Sequence, residues 1–153
     1  MTSEAAIVTR RTDDSRGPES GPLEILIVDD DPIFRHILRR MLMRGAAHRV
    51  AEAQHAEEAI DMIERQRPDL VVSDIFMPVA DGFELLNWMR FHAAQIPVLV
   101  VSAVDEEDVD LNPLQIAQDL GAAGVLTKSF DRAELIAAID RALEGAVAAA
   151  RVH

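Results

Sequence analysis

The sequence contains no cysteine in 153 residues, which excludes a disulfide framework, a thiolate nucleophile and a cysteine-ligated zinc site. No stretch approaches the roughly 18 consecutive apolar residues that a membrane span needs. The N-terminus also lacks the continuous apolar segment of a secretory signal. These absences are compatible with a cytoplasmic protein that does not contact membranes, and this is the location we expect.

Positive charge is scarce as well. Lysine and arginine together number 15 against 27 aspartates and glutamates, so the formal net charge is −12. Because proteins bind duplex nucleic acid mainly by neutralising phosphates with lysine and arginine, we expect no nucleic-acid partner. The apolar fraction of 49% and the length suit one domain with a buried core.

Composition divides the chain into three parts. Residues 1–22 are rich in Ser, Thr, Gly, Pro and charge, with no apolar residue between Val8 and Leu23, which predicts a disordered leader. We expect the folded domain to cover residues 23–145. The alanine-rich residues 146–153 either prolong the last helix or form a tail, and we expect no DNA-binding or catalytic domain to be attached.

From Leu23 onward, short apolar runs alternate with amphipathic stretches. The runs are typical of parallel strands that are covered on both faces, and they are Ile25–Val28, Arg49–Ala53, Leu70–Ser73, Val98–Val101 and Val125–Thr127. Apolar residues three and four apart predict a helix after each run, marked by Ile33–Leu42, Ala56–Ile63, Phe83–Met89, Leu114–Leu120 and Leu135–Leu143. This alternation predicts one doubly wound α/β domain with helices on both faces of a parallel sheet.

Helix boundaries are signalled at four places. Asp31-Pro32 and Asn112-Pro113 each put a side-chain acceptor before a proline, which is typical of a helix start. Gly45 and Gly121 lie where helix C-terminal caps are expected.

Polar side chains end or follow four of the predicted strands. They are Asp29, Asp30 and Asp31 after the first, Ser73-Asp74 at the end of the third, Ser102 at the end of the fourth, and Thr127-Lys128 at the end of the fifth. In an open parallel sheet, ligands bind outside the carboxyl ends of the strands. Each residue has an ordinary structural explanation, such as helix capping for Asp31. Their coincidence at one edge favours a functional site.

The residue types define the chemistry of this site. Neighbouring carboxylates raise one another's pKa unless a cation joins them, and oxygen ligands alone favour Mg²⁺ or Mn²⁺ over zinc. Asp29 and Asp30 form a pair suited to the metal, while Lys128 and Ser102 suit contacts to phosphoryl oxygens. Without cysteine or a Ser/His pair, the available nucleophile is the carboxylate of Asp74.

These residues resemble the response regulator receiver domain of two-component signalling. The matching segments are ILIVDDDP (25–32), DLVVSDIFMPVADGFELL (69–86), IPVLVVSA (96–103) and GAAGVLTKSF (121–130). Together with the strand–helix alternation, they cover essentially all of residues 23–145. The most specific segment is the second, which contains Asp74, Met77-Pro78 and Asp81-Gly82.

The resemblance implies a five-stranded parallel sheet of flavodoxin-like order 2-1-3-4-5. It also implies that Asp74 accepts a phosphoryl group from a histidine kinase or a histidine phosphotransfer protein. Mg²⁺ would be bound by Asp29 and Asp30, helped by Asp74 and the backbone carbonyl of Phe76, while Ser102 and Lys128 contact the phosphoryl oxygens. Such a protein is a monomer or weak dimer, catalyses only its own phosphorylation and dephosphorylation, and signals to a downstream protein by contact.

Three features depart from the family pattern. Ser129 follows Lys128 where the family has a proline, often with a cis bond. Because a cis bond before a non-proline residue costs about 2.5–4 kcal/mol, we predict a trans Lys128–Ser129 bond. Val125 stands where many members have a switching Tyr or Phe, so that rotamer change is not available. The acidic residues 105–110 lie in a longer than usual segment, interpreted as a solvated loop or, alternatively, a partner-specific surface.

Two other functions compete with the switch or phosphorelay shuttle that we favour. A degenerate receiver would bind partners without being phosphorylated; Ser129 and Val125 motivate this alternative, and the intact acids, Ser102 and Lys128 oppose it. A phosphohydrolase would use Asp74 on a small molecule. No substrate-sized insertion or separate general acid supports that reading.

Overall fold

Five strands and five helices alternate along the described part of the chain. The computed structural model describes residues 22–44, 47–75, 77, 82–103 and 113–152. In the last of these ranges, side chains are described only for residues 115–146. The strands are β1 (Glu24–Val28), β2 (Arg49–Ala53), β3 (Leu70–Asp74), β4 (Val98–Ser102) and β5 (Gly124–Thr127). The helices are α1 (Pro32–Met43), α2 (Ala56–Arg65), α3 (Gly82–His92), α4 (Pro113–Asp119) and α5 (Arg132–Val152).

The five strands form one parallel sheet of order β2-β1-β3-β4-β5. This confirms the predicted fold class and strand order. The three inner strands are buried almost throughout, whereas β2 and β5 at the two edges are largely half-buried or exposed. The continuous apolar runs of the inner strands follow from burial on both faces of the sheet.

Side chains alternate between two apolar clusters, one on each face of the sheet. Leu26 and Val28 of β1 lie in the cluster that α2, α3 and α4 cover. Ile25 and Ile27 of the same strand lie in the cluster that α1 and α5 cover. The strand period of two therefore supplies both cores from the same short segments.

The strand boundaries differ from those of the predicted apolar runs by at most one residue. Strands β3 and β4 end at Asp74 and Ser102, as the sequence predicts. Helix α5 continues to Val152 and so includes most of the alanine-rich end. Residues 1–21 and the acidic residues 105–110 lie outside the described residues.

Only part of the apolar pattern of α1 is buried. Leu38 and Leu42 are buried, but Ile33 is 70% exposed and Ile37 is 43% exposed. At 100° per residue, Ile33 lies about 140° around the helix from Leu38, so the two cannot pack against the same surface. The helix has more apolar residues than one face can bury, and its contact with the sheet selects Leu38 and Leu42.

Two of the predicted helix boundaries are confirmed in detail. The Asp31 side chain accepts a hydrogen bond from the Ile33 amide at 2.9 Å and caps α1. Gly121 has a φ of +103° after α4, a conformation that favours glycine. Its amide donates to Gln118 and the Ala122 amide donates to Ala117, which completes a Schellman motif. Asn112 and Gly45 lie outside the described residues.

Within the described part of the chain, no helix is both long enough and apolar enough to cross a membrane.

Candidate phosphoryl-transfer site

Three carboxylates converge at the carboxyl end of the sheet. Asp29 and Asp30 follow β1, and Asp74 ends the neighbouring strand β3; one carboxylate oxygen from each lies within 4.8 Å of the others. Asp29 and Asp74 are buried, whereas Asp30 is exposed. The pairing of β1 with β3 therefore brings together acids that are far apart along the chain.

Lys128 lies directly against this cluster. Its Nζ is 3.0 Å from Oδ2 of Asp29 and 3.2 Å from Oδ2 of Asp74. It is also the only lysine in the sequence, since the other 14 of the 15 basic residues are arginines. The ammonium group thus places one positive charge between the two buried carboxylates.

Ser102 lies at the end of β4, next to β3 in the sheet. Its hydroxyl is fully buried and has no hydrogen-bond partner among the described residues. Its carbonyl accepts a hydrogen bond from the Lys128 amide at 2.9 Å, so the backbones that carry the two residues are joined. A buried hydroxyl without a partner is costly for the fold, which suggests that a ligand supplies the partner.

Burial and neighbouring charge shift the pKa values of this site. The pKa of Asp29 is raised, mainly by burial and further by the charge of Asp74, although the Asp31 amide and Lys128 oppose the rise. Burial alone would lower the pKa of Lys128, but its hydrogen bond to Asp29 and the charges of both acids raise it above its ordinary value. Lys128 is therefore fully protonated at neutral pH.

Replacing Asp29 by asparagine should raise the melting temperature of the metal-free protein at pH 7. Because folding raises the pKa of Asp29, an ionised Asp29 lowers the free energy of unfolding. Below its ordinary pKa of 3.8 the carboxyl is protonated in both folded and unfolded states, so the advantage of Asp29→Asn should disappear as the pH falls through the raised pKa towards 3.8. Thermal unfolding with a chelator across this pH range measures the effect.

Asp61→Asn is the matched control, because Asp61 is an exposed carboxylate on α2 that forms only a surface ion pair with Arg65. Such a pair contributes little, and its loss should leave the pH profile unchanged. A lower melting temperature for Asp29→Asn than for the wild type at pH 7 would contradict the prediction.

Three further sequence predictions concern Asp31, Ser129 and Phe76. Asp31 caps α1 and is not in the acid cluster. The Lys128–Ser129 bond is trans, as predicted, and the Ser129 hydroxyl lies 3.0 Å from that of Thr127. Phe76, proposed as a metal ligand through its carbonyl, lies outside the described residues.

Sequence reasoning missed two residues of α1 that support the site. Arg35 donates from Nη1 to the carbonyl of Asp29 at 2.6 Å, while its Nε is 3.0 Å from Glu52 on β2. The ring of Phe34 lies under the ammonium of Lys128, with Nζ 4.3 Å from the ring centroid. No local pattern marks either residue, because each acts on a group from another part of the chain.

The donor set fits a hard divalent cation. The three acids supply only carboxylate oxygens, and the cluster contains no His ligand; the chain has no cysteine. Mg²⁺ prefers oxygen ligands and is usually held by one or two carboxylates together with phosphate oxygens. Asp29, Asp30 and Asp74 therefore suit Mg²⁺ or Mn²⁺ and not a zinc site.

Comparison with known proteins agrees with this geometry. The family model described as "Response regulator receiver domain" matches residues 25–140, and the chain therefore belongs to the receiver domain family of two-component signalling. Response regulator MprA of Mycolicibacterium vanbaalenii is 40% identical over 116 residues, which cover 76% of this chain and 48% of that protein. The chain thus spans about half the length of such curated relatives.

Shorter proteins match over most of their length. An uncharacterized 14.6 kDa protein of Leptolyngbya boryana is 40% identical over 116 residues, covering 74% of this chain and 85% of that protein. The crystal structure of the receiver domain of NtrX from Brucella abortus is similar with a TM-score of 0.71 and 29% identity, over 78% of this chain and 98% of that domain. These similarities support the receiver fold.

Proposed function

We propose that this receiver domain is a phosphorylation-dependent switch or phosphorelay shuttle, in which Asp74 accepts a phosphoryl group from a histidine kinase or a histidine phosphotransfer protein. The observation that carries the proposal is the convergence of Asp29, Asp30 and Asp74 with the ammonium of Lys128 at one end of the sheet. Metal-assisted phosphoryl transfer requires little beyond such positioning and neutralisation of charge.

The transfer is a single displacement at phosphorus. A carboxylate oxygen of Asp74 bonds to phosphorus while the phosphorus–nitrogen bond breaks, and the electron pair of that bond stays on the donor imidazole. Lys128 neutralises charge on the phosphoryl oxygens, and the Ser102 hydroxyl donates a hydrogen bond to one of them. Mg²⁺ or Mn²⁺ held by Asp29, Asp30 and Asp74, with the carbonyl of Phe76, would supply the remaining positive charge.

The protein is proposed to act on no other substrate: it catalyses only its own phosphorylation and dephosphorylation in the cytoplasm. Its output would be contact with a downstream protein, since phosphorylation shifts an equilibrium of the surface around α4 and β5. Val125 of β5 is a partly buried residue that packs against the core, so this output does not use an aromatic rotamer switch. If a cognate target bound equally well with and without an acyl-phosphate mimic, this would contradict the proposal that phosphorylation changes contact with a downstream protein.

Intact mass spectrometry tests the proposed phosphorylation. Incubation with acetyl phosphate and Mg²⁺ should add about 80 Da, the mass of one phosphoryl group. Chelation of the metal should abolish the gain, because the buried carboxylates then repel the donor. Asp74→Asn should also abolish it, whereas Asp61→Asn on the surface of α2 should not.

The other outcomes distinguish the alternatives. No mass gain in the folded wild-type protein would favour a degenerate receiver that binds partners without phosphorylation. A gain that persists in Asp74→Asn would place the acceptor elsewhere. Repeated turnover of an aryl phosphate ester would favour a phosphohydrolase.

A further inference from the structure

The ammonium of Lys128 contacts an aromatic ring as well as two acids. Besides Asp29 and Asp74, it has the ring of Phe34 from α1 as a neighbour, with the ring centroid 4.3 Å from Nζ. This distance is well within the range of a cation–π contact. Phe34 is half-buried, so the ring also covers a charged group that is only 22% exposed.

The Phe34 ring is itself held in place by the segment that follows Lys128. The ring of Phe130 meets it edge-on, with centroids 6.1 Å apart and an interplanar angle of 79°. Further along, Arg132 donates to the carbonyls of Met41 and Arg44 at the end of α1, at 3.1 and 2.6 Å. Phe130 and Arg132 therefore both fasten α1 to the segment that follows Lys128.

Lysine needs such support because its side chain has four rotatable bonds and a compact charge that water solvates strongly. The hydrogen bond from the Lys128 amide to the Ser102 carbonyl fixes the backbone, but not the side chain. The two carboxylates attract the ammonium, but they offer it several oxygen atoms. The ring of Phe34, with its centroid 4.3 Å from Nζ, occupies space into which the ammonium could otherwise move.

We propose that Phe34 is a positioning residue for phosphoryl transfer: its ring fixes the Lys128 ammonium between Asp29 and Asp74 before the phosphoryl group arrives. The inference rests on the proposed function, because it assigns Phe34 a part in that reaction. It predicts that the aromatic face matters and not merely the volume of the side chain. Replacing Phe34 by leucine should therefore release the Lys128 ammonium, whereas replacing it by tyrosine should keep the ammonium in place.

The single lysine makes the contact directly observable. In protein labelled with ¹³C- and ¹⁵N-lysine, one lysine side-chain signal appears, and the ring current should move the Lys128 Hε resonance upfield of its position in the unfolded chain. Phe34→Leu should abolish this shift and Phe34→Tyr should retain it. Phe91→Leu is the matched control, because Phe91 is 72% exposed on α3 and should leave the signal unchanged.

Phosphorylation rates complete the test. With acetyl phosphate and Mg²⁺, the phosphorylation rate of Phe34→Leu should be about fivefold lower than that of the wild type, in keeping with the loss of one partly desolvated cation–π contact. The rate of Phe34→Tyr should be close to that of the wild type. Phe34→Met repeats the comparison if thermal unfolding shows that the leucine variant is not folded. Equal rates for Phe34→Leu and the wild type, or equal slowing by leucine and tyrosine, would overturn the proposal.

Failure of the proposed function has a different signature. A wild-type protein that gains no phosphoryl group would overturn phosphoryl transfer at Asp74, and with it the catalytic part of the inference. The lysine spectrum would still decide whether Phe34 fixes Lys128. An unshifted Hε signal in a wild-type protein that is phosphorylated would overturn the role of Phe34 alone.

Discussion

Alanine in place of Gly82 should lower the free energy of unfolding by at least about 3 kcal/mol, the upper end of the range for overpacked positions. A Cβ at Gly82 would collide with the carbonyl oxygen of Asp74 and lie 2.6 Å from the Cα of Ile75. Both are backbone atoms, so no side chain can rotate away to relieve the overlap. The Gly82 amide also donates to the carbonyl of Ile75 at 2.9 Å, which holds the start of α3 at this distance.

Thermal unfolding of Gly82→Ala should show a melting temperature lower by about 10 °C. Phosphorylation should fall as well, because the displaced backbone carries Asp74. Gly145→Ala in α5 is the matched control: a Cβ there meets nothing within 4 Å, and alanine in a helix is favoured over glycine by about 0.5–1 kcal/mol. A melting temperature for Gly82→Ala within 2 °C of the wild type would contradict the steric argument.

The sheet and the place of the site could be predicted from sequence because both depend on short-range patterns. Continuous apolar runs indicated buried parallel strands, and parallel strands present their carboxyl ends at one edge. Asp29 and Asp74 each lie at such an end, so the topology alone brought them together. The structure adds the distances, and the family model confirms the class.

The supporting contacts could not be predicted in this way. Phe34 and Lys128 are 94 residues apart, and nothing in the α1 pattern separates Phe34 from the other apolar residues of that helix. The same apolar spacing includes Ile33, which is 70% exposed. Which face a helix buries, and which ring lies under which charge, depends on how α1 packs against the sheet beside α5, and sequence periodicity does not contain that information.

Two of the three departures from the family pattern, Ser129 and Val125, lie within the described residues and have different structural consequences. Ser129 removes the proline after Lys128, and the chain adopts a trans bond while Arg132 and Phe130 fasten this segment to α1. Val125 removes an aromatic side chain from β5 and leaves a small residue packed on the core. Ser129 leaves the contacts of Lys128 with the acids in place. Val125 concerns only how phosphorylation would change the surface that contacts a partner. The departures therefore weaken the case for an aromatic switch more than the case for phosphorylation.

Replacing Lys128 by methionine should change two properties of the site in opposite directions. The rate of phosphorylation should fall by about 100-fold, as is typical when a group that stabilises transition-state charge is removed. The affinity for Mg²⁺ should instead rise by about tenfold, because the ammonium 3.0 Å from Asp29 and 3.2 Å from Asp74 repels a cation that uses the same carboxylates. Calorimetric titration measures the affinity, and intact mass against time measures the rate.

Arg67→Met controls for net charge, because it removes one positive charge at an exposed position just before β3, at the opposite end of that strand from Asp74. Both its rate and its Mg²⁺ affinity should match the wild type. If Lys128→Met weakened Mg²⁺ binding together with phosphorylation, the lysine would be holding the acids in position and not competing with the metal. If neither property changed, the ion pairs of Lys128 would have no part in the chemistry, and the remaining site would be reduced to three carboxylates and a buried hydroxyl.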